Sequence, residues 1–202
     1  MSNVRSFRGK HPQIAADAWI DASAIVIGDV KVGPRSSIWP LCVIRGDVHR
    51  IEIGAYTNIQ DGTILHVSHD SRFLLGGAPV IIHDRVTVGH QAVLHGCEIR
   101  DHCLIGIGAR VLDRAVLEPR TMVGAGSLVP PGKKLEGGHL WVGTPVKRLR
   151  SLKDQEIEYL DYVAEHYAKL ADGHSDEATA ALNPGQHTGF TVRPAGNRYS
   201  KS

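Results

Sequence analysis

Apolar side chains recur at every sixth position of this chain: Ile14, Ile20, Val26, Val32, Ile38 and Ile44 fall on one beat without a slip. After three extra residues the beat resumes at Ile53, Ile59 and Leu65, and a polar, glycine-containing insertion over roughly 68–79 follows. It returns at Ile82, Val88 and Leu94, drops one residue, and runs on through Ile99, Ile105, Val111, Leu117, Val123 and Val129. Four residues after most beats stands a small or β-branched residue, among them Ala24, Ser36, Cys42, Thr57, Ala92 and Cys103, with Glu98 the clear exception. A helix repeats its buried face about every 3.6 residues and a half-buried strand about every two, so this period fits neither. It is the mark of a parallel β-helix, in which each hexad gives a short strand and a turn and stacked coils bury one apolar column. Chance alternation in an ordinary β-sandwich would not keep one beat for so long.

The pattern changes at Ser151-Leu-Lys-Asp154, which has an N-cap residue followed three positions later by an acid, close to a capping box. Ile157, Leu160, Val163, Ala164, Tyr167 and Leu170 then recur at helical spacing. The expected organisation is a β-helix domain over 1–150, a helix over 151–171 packing on it or on a neighbouring subunit, and a mobile tail over 172–202. The tail is rich in Gly, Pro, Ser, Asn and His and has no period, so His174 and His187 read as solvated.

Composition narrows the function classes. A 5% aromatic share beside 22 glycines suits many short turns lined by Ile, Val, Leu and Ala. A formal charge of +2 with acid and base interleaved gives no footprint for nucleic acid. Membrane insertion is not expected either, because no long apolar run exists and Met1 to Arg8 lacks the apolar core of a signal peptide. Cys42, Cys97 and Cys103 form no CxxC pair and read as buried free thiols, which predicts a cytoplasmic protein.

Candidate chemistry lies in the middle of the repeat. His90 and His95 sit between the beats Val88 and Leu94, and His66 follows the beat Leu65. If three hexads make one triangular coil and the insertion loops outward, the hexads at 44, 65 and 94 share one face in successive coils. Arg45, His66 and His95 are then the second residues of those hexads, in an outward column with steps of about 4.8 Å. Two histidines stacked so can share a metal with nitrogen bonds of about 2.0–2.1 Å. His90 belongs to the hexad at 88, on an adjacent face with the hexad at 59, and cannot reach that metal within its own chain. A three-histidine centre therefore needs His90 from a second copy, and threefold repetition is the simplest closed arrangement. The same count sets Gln60 and Asp61 one coil from His90 and brings Asp61 of one chain towards Arg45 of the next. Against this stands the plain alternative of histidines solvated on a β-surface, in a chain that has 12 of them.

Ile44-Arg-Gly-Asp47, Asn58-Ile-Gln-Asp61, His66, Val88-Gly-His90, Leu94-His-Gly-Cys97 and the closing Val142-Gly-Thr-Pro145 together resemble the γ-class carbonic anhydrases and their bacterial hexapeptide-repeat relatives. The resemblance covers about residues 10–170. It implies a left-handed parallel β-helix, a homotrimer, and a metal at each subunit boundary, Zn2+ or alternatively Fe2+ or Co2+. His66 and His95 would ligate from one subunit and His90 from its neighbour. Gln60 would hold or orient the reactants, with Asn58 nearby and Tyr167 reaching in from the C-terminal helix. Arg45, Asp47 and Asp61 would form the interface network. The implied reaction is the reversible hydration of CO2 to bicarbonate. One departure stands out: in the best-known family member an acid follows the RGD and another sits in an inserted loop to move protons. Here Val48 follows Asp47, and the loop offers only His69 and Asp70, which predicts slow, conditional or absent hydration. Two other readings stay open, a coenzyme A-dependent hexapeptide acyltransferase and a non-catalytic metal-binding trimer.

Overall fold

A computed structural model describes residues 3–182 of the chain. Parallel strands, most of two or three residues but with longer ones at Ile25–Val32 and Val43–Ile53, stack in coils, and an antiparallel pair, His139–Val142 with Lys147–Ser151, leads into one helix at the end. The beats pair in register three hexads apart: Val26 with Ile44, Ile44 with Leu65, Leu65 with Leu94 and Leu94 with Val111 along one face. A second face pairs Ile38 with Ile59, Ile59 with Val88 and Val88 with Ile105. A third pairs Val32 with Ile53, Ile53 with Ile82 and Ile82 with Ile99. The period-six reading thus holds, and the beat continues past Val129 to Leu135 and Trp141. Ile44, Leu65, Leu94, Ile59, Ile105 and Leu117 are all fully buried. Each such side chain contributes about 1.5–3 kcal/mol over an exposed one, and their stacking makes one unbroken core column.

The small residues four places after each beat fill the narrow corners. Cys42 and Cys103 sit there as expected, both buried, and Cys97 takes the slot at the shortened hexad where Glu98 breaks the pattern. Burial pushes the Cys42 thiol up to about 11 and the Cys103 thiol up to about 12, so both are inert apolar filler.

The three faces differ outwardly. The third is a ladder of charge, Glu98 with Arg100, Arg100 with Glu118 and Glu118 with Lys134, and suits water. The second is covered by the helix, whose Leu160, Val163, Ala164, Ala168 and Ala171 are buried on it. The first carries the outward column Val43, Ile64 and Val93, and no element among the described residues covers it; Ile64 is 43% exposed.

The helix departs from expectation in three ways. It spans Asp154–Leu182 and so continues well beyond Ala171. Tertiary contacts extend it, since Arg35 holds Asp172 through two bonds of 2.8 Å and the His174 ring packs 5.3 Å from Trp19 and 5.2 Å from Trp39. His174 is exposed, as expected of a solvated residue, and also packs its ring on the two tryptophans, whereas His187 lies outside the described residues. Ser151 does not cap the helix; it ends the strand Lys147–Ser151. The return bond runs instead from the Lys153 backbone N–H to Glu156 at 2.8 Å, one residue before the first helical position. Leu170, placed on the buried stripe by its spacing, is 41% exposed, because the face turns to Ala168 and Ala171.

Candidate metal centre

Every irregularity in the repeat falls at one corner, between the first and third faces. The extra residues between Ile44 and Ile53, the insertion before Ile82 and the lost residue before Ile99 all occur where the chain leaves the first face. This is the corner beside His66 and His95. The insertion does loop outward without disturbing the count, since Ser68 and Ala78 close its base with paired backbone bonds of 3.0 and 2.9 Å. Arg45 pairs with His66 and His66 with His95 in adjacent strands, the column expected from the spacing.

The two imidazoles converge. His66 Nδ1 and His95 Nε2 lie 3.0 Å apart, with ring centroids at 5.1 Å. The opposite nitrogen of each ring is committed to a carboxylate: His66 Nε2 to Asp47 Oδ1 at 3.2 Å and His95 Nδ1 to Asp113 Oδ1 at 2.5 Å. Ionised carboxylates only accept, so those ring nitrogens carry the hydrogens. In neutral rings the facing nitrogens are then two bare lone pairs pointed at each other, which repel unless a cation or a proton lies between them. Two ligands of a tetrahedral ion with bonds of about 2.0–2.1 Å sit about 3.3–3.4 Å apart, close to the observed separation. The donor set fits a divalent metal. Burial pushes the His66 pKa below its ordinary value, against the pull of Asp47 and with help from Arg45 and His95, which keeps the ring neutral and able to ligate. Burial works against charge on Asp47, but bonds from Arg45 and His66 outweigh it and hold that carboxyl below its usual range.

His90 stands apart, at the other edge of the first face, where the chain arrives from the second. Its Nδ1 donates to Asp61 Oδ2 at 2.9 Å, which leaves Nε2 bare on a side chain 42% exposed. Asp61 thus orients His90 within the chain, while Arg45 is engaged by Asp47 at 2.5 Å. Among the described residues no group of three or more His, Cys, Asp or Glu gathers where it could hold a metal ion. One chain brings together two of the three predicted ligands.

Gln60, Thr87, His90, Tyr159, Val163 and Tyr167 line a cleft of about 320 Å3 between the second face and the helix. Gln60 Nε2 donates to Asn58 Oδ1 at 3.1 Å, and Asn58 Nδ2 donates to Thr87 Oγ1 at 2.9 Å, so a buried chain of side-chain bonds fixes the Gln60 amide in the cleft wall. Asn58 itself is buried behind that wall. Burial, followed by the nearby Asp61 charge, raises the Tyr167 pKa. Trp39, which meets the Tyr167 ring edge-on at 5.4 Å and donates Nε1 to Ser37 at 2.9 Å, seats that tyrosine. In the insertion, Asp70 caps its own loop through the Gly76 N–H at 2.8 Å.

Asp113, Ser68, Thr87, Trp39 and Tyr159 were not found from the sequence. The lost residue hid Asp113: Leu94 pairs with Val111, 17 positions on, so Asp113, 18 positions after His95, falls level with Gly96 and one step beyond the place a strict count gives His95.

No described helix is long and apolar enough to cross a membrane. A family signature described as bacterial transferase hexapeptide (six repeats) matches residues 11–46. The protein YrdA of Escherichia coli is 50% identical over 178 residues, covering 88% of this chain and 97% of that protein. Gamma carbonic anhydrase 2 of Arabidopsis thaliana mitochondria is 45% identical over 170 residues, covering 83% of this chain and 60% of that one. A carbonic anhydrase of Geobacillus kaustophilus is 44% identical over 166 residues, covering 82% and 87%. Among solved structures, a putative acetyltransferase of Bacillus cereus superposes with a TM-score of 0.80 at 37% identity, covering 86% of this chain and 96% of that one. The motif set and these relatives agree, and the chain belongs to the γ-class carbonic anhydrase-like family of hexapeptide-repeat proteins.

Proposed function

We propose that the protein is a metal-dependent carbonic anhydrase that hydrates CO2 reversibly to bicarbonate at the boundaries of a homotrimer. The observation that carries this reading is the convergence of His66 Nδ1 and His95 Nε2 at 3.0 Å, with both remote nitrogens held by carboxylates. His66 and His95 from one subunit and His90 from the next would hold the ion. The two half-sites lie on opposite edges of one uncovered face, so they meet only when the edge of one copy docks on the other edge of its neighbour, a head-to-tail contact that closes as a ring. Exposed apolar side chains stand at both edges: Ile107 lines the same cleft as His90, and Val48 follows the Asp47 that holds His66.

A zinc ion held by these donors would supply Lewis acidity that makes water nucleophilic near pH 7, and Fe2+ or Co2+ would suit the same donors. The chain's own residues do the rest. Asp47, Asp113 and Asp61 fix the imidazole tautomers, and Arg45 holds Asp47. Gln60, locked by Asn58 and Thr87, presents an amide to the small substrate at the cleft wall, and Tyr167 closes the cleft from the helix. No acid follows Asp47 and Asp70 is bonded within its own loop, which leaves His69 as the insertion's other candidate for moving a proton, so proton export is the slow step of this reading. The buried, unpaired cysteines fit a reducing compartment, and we place the protein in the cytoplasm on that ground.

Metal analysis and a CO2 hydration assay on metal-loaded protein test the proposal. About one divalent ion per chain, with hydration lost in His90→Ala, is the expected result. The likeness to a solved putative acetyltransferase supports a second reading, acyl transfer from coenzyme A. Acetyl transfer by metal-free protein, with no hydration after loading, would favour it; metal uptake without either activity would mark a binding module.

A further inference from the structure

The partners of the two converging histidines differ in a way that bears on which binds metal more strongly. Asp47 shares its carboxylate between His66 and the Arg45 guanidinium, which sits 2.5 Å away and neutralises much of its charge. Among the described contacts of Asp113, one oxygen accepts from His95 Nδ1 at 2.5 Å and the other from the Ser68 hydroxyl at 2.7 Å, both uncharged donors when His95 is neutral. No guanidinium or ammonium shares that carboxylate in these contacts, so its negative charge stays on the His95 side of the site and also helps burial push the Cys97 thiol up. The backbone is shaped around this contact: a Cβ on Gly96 would stand 2.5 Å from Asp113 Oδ1, so glycine, at φ +58°, lets the carboxylate reach the ring. Ser68 is the first residue of the closed base of the insertion and ties the loop to the same carboxylate.

We infer that Asp113 is a positioning residue of the metal centre. It fixes His95 with the hydrogen on Nδ1, leaves Nε2 bare towards His66 Nδ1, and is itself held by Ser68, which couples the insertion to metal affinity. This inference rests on the metal reading above, and its test separates the two.

Zinc affinity is measured by competition with a chromophoric chelator on the assembled metal-free protein, for the wild type, Asp113→Ala, Asp113→Asn and Ser68→Ala. Carboxylates behind a ligating histidine typically change affinity about 10- to 100-fold, so Asp113→Ala is expected to weaken zinc by that factor. Asp113→Asn, which still accepts from Nδ1 but lacks the charge, should fall between, and Ser68→Ala should lose less than Asp113→Ala. The visible spectrum of the Co2+-loaded Asp113→Ala protein should shift, a signature that a purely structural role would leave alone. Wild-type affinity and an unchanged cobalt spectrum in Asp113→Ala would overturn the inference and leave the metal reading intact. A wild type that takes up no zinc would overturn both. If Asp113→Ala does not fold, Asp113→Asn carries the test, and wild-type affinity there overturns the inference.

Discussion

Replacing Gly96 with alanine strikes the point where the repeat loses a residue and the His95–Asp113 contact forms. The added Cβ would lie 2.5 Å from Asp113 Oδ1, 2.8 Å from the Ala78 Cβ and 3.0 Å from Asp113 Cγ, at a φ of +58°. Left-handed backbone costs an alanine about 1–2 kcal/mol, and overpacking of this kind adds about 1–3 kcal/mol. The sum is a loss of about 2–5 kcal/mol. Gly126 supplies the control, because at φ +65° a Cβ there meets nothing within 4 Å. This fold already carries nine non-glycine residues at positive φ among those described, so Gly126→Ala should show the backbone cost alone. Urea unfolding of metal-free protein, at one fixed concentration because assembly would contribute, reads both variants. Gly96→Ala should lose about 1–3 kcal/mol more than Gly126→Ala. Adding Asp113→Ala should return part of that difference, since the closest clash is with its carboxylate. Equal losses in the two glycine variants would refute the claim that the backbone is shaped around this contact.

Three further outcomes follow from the same structure. Leu65→Ala removes a fully buried side chain from the middle of the column beneath His66 and should cost about 2–5 kcal/mol in the same unfolding assay. Bonds from Arg150 and the Lys153 backbone hold Glu156 at a pKa of about 2, down from an ordinary 4.5. Because the folded value is depressed, the stabilisation is fully present above pH 4.5 and is lost as pH falls towards 2; the gap between wild type and Glu156→Gln in unfolding experiments should be constant near neutrality and shrink through that window. Saturating zinc at about 100 times its Kd should stabilise the protein by about 2.7 kcal/mol; chelation should remove that gain from the wild type and leave His90→Ala unmoved, as thermal melts would show.

The β-helix was readable because burial alone dictates a strict beat: Ile44, Leu65 and Leu94 must all point inward, and counting by threes then aligns Arg45, His66 and His95. The separation of His90 from the other two followed from the same count. What stayed hidden depended on corners and long contacts. Asp113 is remote from the histidine motifs in sequence and meets His95 only because the shortened coil, 17 residues from Leu94 to Val111, brings it level with Gly96. The helix beyond Ala171 lacks a sequence period, yet Arg35, Trp19 and Trp39 hold it from the far end of the chain. Ser151 has the chemistry of a cap, but strand pairing with His139 claims it first.

Mixing two inactive chains tests most directly whether the centre is built between subunits. One carries His90→Ala and keeps His66 and His95; the other carries His66→Ala with His95→Ala and keeps His90. Unfolded together in equal amounts and refolded, they should regain zinc and CO2 hydration at about one quarter of the wild-type sites, the share of boundaries that pair the intact halves at random. Zinc and activity no higher than in either variant refolded alone, in mixed assemblies shown to form, would contradict a centre shared by neighbouring chains.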